Sequence, residues 1–226
     1  MHYCADYFCS KYEKMITTVR LLGVLFLLVS GQFACGQEND VQLVKKSFDQ
    51  YKSAILNDKG EEASEYVDSR TIRYYSNILD LVKTADSSKV ETLSILDKVM
   101  VLMIRHVASK EEILEFDGKS LFVYAIDNGM VGKDGVSGGS IGEVTVNKDF
   151  AKGEFVVNGE KSPVFLHFYK EDGQWKVDLT SLFAASAEAF KAMIDESGQE
   201  ENETLFYIME LLTGRKPAPE IWQPVK

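Results

Sequence analysis

Apolar positions in the first half of the chain recur at three- and four-residue steps. Val41, Val44, Phe48, Tyr51 and Ile55 share one face of a helix that the spacing predicts to end at Gly60. A second helical stretch, Glu62 to Lys83, carries Tyr66, Ile72, Tyr75, Ile78, Leu79 and Val82, with a break at Asp68-Ser69. Ser87-Ser88 then opens a long helix predicted to reach about Ala108. It carries two adjacent stripes, one of Leu93, Leu96, Met100, Met103 and Val107, the other of Ile95, Val99, Leu102 and His106. Stripes that wide predict the most buried helix of the domain. Gly118 to Asn128 fits a helix or a strand.

The period then changes. Residues 129–142 hold six glycines and little that packs, which predicts a mobile connector. Beyond it apolar residues alternate with polar ones: Val144 and Val146; Phe155 and Val157; Val164, Leu166 and Phe168; Trp175, Val177 and Leu179. Asn158-Gly159 and Asp172-Gly173 supply hairpin turns. Two helices follow, Ser181 to Ile194 and Asn202 to Thr213, the latter stopped by Gly214. Residues 217–226, with three prolines and Trp222, read as an extended tail. The expected class is α+β, with N-terminal helices packed on a four-stranded antiparallel meander and helices after it. One buried face is expected to hold Val144, Phe155, Val157, Leu166, Phe168, Val177 and Leu179, packed on helices containing Phe48 and Met103.

The run Leu21 to Val29 fits neither period. Its nine apolar residues fall well short of the ~20 needed to cross a bilayer as a helix. Lys14 and Arg20 precede it, and Ala34 and Gly36 follow, the layout of a secretory signal. Met15 would be a natural start for that signal, as Met1 is for the whole chain. Two exits stay open: cleavage at Ala34-Cys35-Gly36, leaving Gln37 first, or lipid attachment at Cys35, although Gln32 stands where lipoprotein sites usually carry Leu. The expected organisation is residues 1–36 as signal, 37–216 as one domain and 217–226 as tail, in an exported protein of the periplasm or cell envelope.

All three cysteines, Cys4, Cys9 and Cys35, lie in that signal. The mature domain then has no disulfide and no thiolate chemistry. The chain carries a net charge of −10, and residues 1–36 take three cations and two carboxylates away, leaving the remainder slightly more acidic. Such a surface repels nucleic-acid phosphates and anionic headgroups, so no nucleic-acid partner is expected, and a membrane only through a lipid anchor.

The helix SFDQYKSAI and the hairpin PVFLHFYKEDGQWKVDLTSL together resemble the nuclear-transport-factor-2-like superfamily. Phe48 and Tyr51 carry the resemblance in the helix, and Phe168, Gly173, Trp175, Val177 and Leu179 in the hairpin. It covers roughly residues 41–180; the later helices and the long helical half depart from the compact family layout. The resemblance implies an α+β cone, shared by ketosteroid-isomerase-like and scytalone-dehydratase-like enzymes and by many exported proteins. It implies little about activity, because such folds host unrelated chemistries or none.

Candidate chemistry is sparse. With a turn at Asp172-Gly173, Lys170 opposes Trp175, Tyr169 opposes Lys176, Phe168 opposes Val177, His167 opposes Asp178 and Leu166 opposes Leu179. A His–Asp pair is what a general base needs, but no nucleophile, oxyanion donor or second acid is tied to it by sequence, which favours an ordinary cross-strand surface pair. His106, on an apolar stripe, is either a satisfied core histidine or a polar group lining a cavity. With His2 in the predicted signal, the two remaining histidines have no metal-binding spacing and predict no metal site, and no cofactor fingerprint is present. Gly132-Lys133 lacks the phosphate-loop pattern, and Asn202-Glu203-Thr204 reads as a helix cap. The expected function is a non-catalytic module for a small ligand or an envelope protein. The alternative is a cofactor-independent hydrolase, dehydratase or isomerase using His106, or His167 with Asp178.

Overall fold

The computed structural model describes residues 38–130 and 133–225. The segment expected to be a signal, residues 1–36 with Cys35, lies outside them. Residues 38–43 are helical and belong to an N-terminal unit; Val44 onward forms one compact unit, to which everything below refers.

The unit is α+β. Its helices α1 (residues 44–56), α2 (Gly60–Ser64), α3 (Ser69–Thr84), α4 (Ser87–Glu91), α5 (Ile95–Val107), α6 (Lys110–Glu115), α7 (Gly118–Asp127) and the short α8 (Asp134–Ser137) precede the sheet. The strands β1 (Gly139–Asn147), β2 (Phe150–Val157), β3 (Glu160–Glu171) and β4 (Gln174–Asp178) form an antiparallel meander in that order. Helices α9 (Phe183–Ser197) and α10 (Glu201–Thr213) follow.

Caps decide where the helical half breaks. Asp68 accepts from Thr71 N at 2.9 Å and starts α3, at the break the sequence showed. The predicted long helix from Ser87 is two helices, because the Ser94 hydroxyl accepts from Asp97 N and donates to the Asp97 carboxylate, beginning a new helix at Ile95. Ser109 and Glu112 form a capping box that makes α6, and Asp117 with Ser120 settles Gly118 onward as helix. Gly60 opens α2 rather than ending α1. A Cβ there would stand 2.5 Å from the Val123 carbonyl of α7, so only glycine permits the close approach of the two helices.

Both predicted hairpin turns form, with Asn158-Gly159 and Asp172-Gly173 at positive φ. The β3–β4 ladder pairs Lys170 with Trp175 through to His167 with Asp178, as the turn dictates. It stops there, so Leu166 and Leu179 do not pair. Asp178 instead accepts from Thr180 N at 3.0 Å and starts a 3₁₀ turn, Leu179–Leu182. The segment around Val67 covers the free edge of β4: Asp68 N donates to Val177 O and Val177 N to Tyr66 O.

Leu166, Phe168, Trp175 and Val177 are buried on the sheet's inner face, and the Phe155 ring meets Phe48 of α1 edge-on at 5.9 Å. Val157 does not join them and is 38% exposed. A register shift between Glu154 and Val156 interrupts the alternation, so the residues beyond it change face. Val144, next to a similar shift in β1, is only half-buried. Residues 139–142, read as connector, are strand. Gly153 lets this region pack, since a Cβ there would meet Ile141 at 2.8 Å and Phe168 at 3.2 Å. The tail is not simply extended. Pro219–Trp222 is a 3₁₀ turn, Ile221 is 5% exposed, and Val225 N donates to Val82 O at 3.4 Å.

Candidate functional site

On α5 the buried positions are Lys98, Val101, Leu102, Met103, Ile104 and Arg105; of the two predicted stripes only Leu102 and Met103 are among them, and Ile95, Val99 and His106 are half-buried. The helix thus buries two cations. Lys98 is paired, its ammonium 2.6 Å from Glu201 and 3.2 Å from Glu91, which ties α5 to α10 and α4. Asn202 bonds Glu91 too at 2.9 Å, and so bridges helices instead of capping one.

Arg105 has no carboxylate partner among the described residues. Nε donates to Val82 O and Nη1 to Ile221 O, both at 3.0 Å; Nη2 donates to Leu81 O at 3.0 Å and Ala85 O at 2.6 Å. Helix α3 ends there, exposing carbonyls that its own backbone cannot satisfy, and the guanidinium fork gathers them together with the tail. Burial pushes the Arg105 pKa down to about 10.

Beside this group lies an open cavity of about 570 Å³. The end of α5 contributes Arg105 and His106, and α6 contributes Lys110 and Ile113. Gly214, left-handed at φ 68°, turns the chain out of α10 and delivers Arg215 and Lys216. The tail closes the far wall with Ile221, Pro224 and Val225, and adds Glu220. His106 is half-buried in this lining. Its Nε2 is hydrogen-bonded to Thr213 Oγ1 at 2.9 Å, and that hydroxyl also reaches the carbonyls of Met209 at 2.7 Å and Arg215 at 3.1 Å. Arg215 reaches back to the His106 carbonyl at 3.3 Å. Burial first, then the Arg215 charge, lower the His106 pKa, and a hydrogen bond with the Arg215 backbone opposes them. The imidazole is accordingly neutral at pH 7.

His106 therefore opens into a cavity, but the lining includes no sheet residue, so this is not a space beneath the meander. His167 and Asp178 are cross-strand partners, and their side chains make different contacts. Asp178, 4% exposed, is engaged by Thr180 N and Oγ1, while the His167 ring packs edge-on against Phe150 at 5.3 Å. No ion pair joins the two among the described residues. The same outer face carries the Arg70 guanidinium 3.4 Å above the Tyr169 ring.

Among the described residues no group of three His, Cys, Asp or Glu side chains could hold a metal ion, and no helix is long and apolar enough to cross a membrane. Arg105, Lys110, Arg215 and Lys216 were not singled out from sequence. Two signals were there: a lone Arg within the apolar run VMVLMIRHV, and a basic pair directly after a helix stop in an acidic chain. Compared with protein-family models, with curated proteins and with solved structures, the chain finds no match.

Proposed function

We propose that this is an exported cell-envelope protein whose domain binds a small ligand without transforming it, at the cavity between α5, α6 and the C-terminal tail. The observation that carries this reading is the cavity itself. It has the volume of a small-molecule site and combines apolar walls with a few convergent polar groups. Among the described residues no Ser, Thr or Cys lines it, and the histidine there is already hydrogen-bonded to Thr213. Export rests on the basic, apolar and small-residue layout of residues 14–36, with Cys35 as lipid attachment point or discarded residue. We further read the domain as nuclear-transport-factor-2-like, supported by a helix bearing Phe48 and Tyr51 set against a four-stranded meander.

Native mass spectrometry of the protein purified from its own host tests the binding reading through a co-purifying small molecule, and the same spectrum gives the N-terminus. A mass starting at Gln37, or at a lipidated Cys35, is expected; residues 1–30 intact on the folded protein would refute export. The enzymatic alternative keeps one supporting observation, a neutral His106 able to accept a proton in the cavity. Turnover of an ester, hydroxyacid or enolisable ketone that vanishes in His106→Gln would favour it. The His167–Asp178 version rests on their cross-strand pairing, with one Asp178 oxygen, Oδ1, already accepting from Thr180.

A further inference from the structure

Four cations and one carboxylate line the cavity of a chain whose carboxylates outnumber its cations by 35 to 25. Chance placement in so acidic a protein would give the opposite sign. Lys110, Arg215 and Lys216 form no ion pair among the described residues, although nine ion pairs engage cations elsewhere in the molecule. Arg105 adds a buried positive charge that meets only carbonyl dipoles, and four of its five N–H groups are taken. Like charges gathered at one recess repel at short range, and an anion between them removes that cost. Apart from His106 and Gln223, the rest of the wall is hydrocarbon, chiefly Ile113, Ile221, Pro224 and Val225.

We propose that the cavity takes an amphiphilic organic anion, its carboxylate or phosphate head among Arg105, Lys110, Arg215 and Lys216 and its apolar body against Ile113, Ile221 and Val225. This rests on the small-ligand reading above and names the ligand's chemistry. The tail forms the apolar wall and is itself tied to Arg105 through the Ile221 carbonyl, so head-group and body subsites are mechanically joined. The neutrality of His106 beside Arg215 fits a site whose positive charge is already high. The acidic surface elsewhere does not oppose such a ligand, because at 0.15 M salt charges beyond about 8 Å are largely screened.

The test is calorimetric titration of the purified protein with four probes: sodium octanoate, monooctyl phosphate, 1-octanol and inorganic phosphate. The Lys110→Gln/Lys216→Gln double variant serves as comparison. Both lysines are exposed, so the variant should keep the wild-type melting temperature. Octanoate or octyl phosphate is expected to saturate at one site, and whichever binds tighter identifies the head group. Octanol should bind roughly tenfold or more weakly, the equivalent of one lost charged contact. The double variant should weaken the anions by a similar factor and leave octanol unchanged. Octanol binding as tightly as octanoate, or unchanged anion affinity in the double variant, would overturn the anion assignment and leave the cavity as a neutral-ligand site. Inorganic phosphate binding as tightly as octyl phosphate would overturn the apolar half. Absence of saturable binding by all four would overturn this proposal, and an unrelated co-purifying molecule from the host would then show whether the small-ligand reading survives it.

Discussion

Replacing Arg105 by Met keeps most of the aliphatic bulk and removes the guanidinium. Its four acceptors are affected unequally. Leu81 O retains the Ala85 N–H at 2.9 Å, and Val82 O retains Val225 N at 3.4 Å. Ala85 O and Ile221 O have no other donor among the described residues. Two orphaned buried carbonyls cost about 1–3 kcal/mol each. Relief from burying an unpaired charge, which already pushes the Arg105 pKa down to about 10, offsets part of this. The expected net loss is about 3 kcal/mol, a large share of the ~5–15 kcal/mol that holds an ordinary domain. Arg105→Lys should do no better than Met, because one ammonium cannot span carbonyls on two segments and the charge stays buried. Urea unfolding monitored by circular dichroism measures the loss. Hydrogen exchange at Val225 N–H, which should accelerate as the tail detaches, reports the local effect. Both variants lying within about 1 kcal/mol of wild type, or lysine restoring stability, would refute the account of Arg105 as the group that joins α3 to the tail.

Phe168→Ala should cost about 3–5 kcal/mol in the same unfolding assay, because the ring is fully buried on the inner face of β3. His106 binds protons more weakly folded than unfolded, so its contribution lowers stability as pH falls from about 6.5 through its depressed folded value and is nil above. Melting temperatures of wild type and His106→Gln between pH 5 and pH 8 should therefore diverge only on the acid side; parallel curves would contradict the burial and charge effects. Asp178→Ala should destabilise by about 0.5–2 kcal/mol through loss of its cap on Thr180, whereas His167→Gln should change little. Equal effects of the two, with strong coupling in the double variant, would restore the pair as a unit.

The alternation of residues 164–179 and the Asp-Gly turn determined the β3–β4 register down to the pairing of His167 with Asp178, because a two-residue turn and a period of two leave one way to bury Leu166, Phe168 and Val177. Helix periodicity likewise fixed the cores of α1 and α3, with Val44, Phe48, Tyr51 and Ile55 buried in the first and Tyr75, Ile78, Leu79 and Val82 in the second. The caps at Ser94 and Ser109 were legible as Ser-x-x-Asp and Ser-x-x-Glu, though apolar periodicity alone read past them. What the sequence could not contain was the direction of a side chain once its backbone was placed. Asp178 turns to Thr180 rather than His167 because two donors sit one short turn away. Arg105, which looks like a mistake on an apolar helix, is buried because α3 ends and the tail returns beside it, leaving carbonyls only a long, branched donor can satisfy. The cavity follows from the same event. Its cations come from positions 105, 110, 215 and 216, and only the packing of the α10 exit and the tail against the end of α5 puts them around one space. Local pattern determines elements and registers, since those depend on neighbours in the chain; the site depends on distances between segments a hundred residues apart, which only the folded core sets.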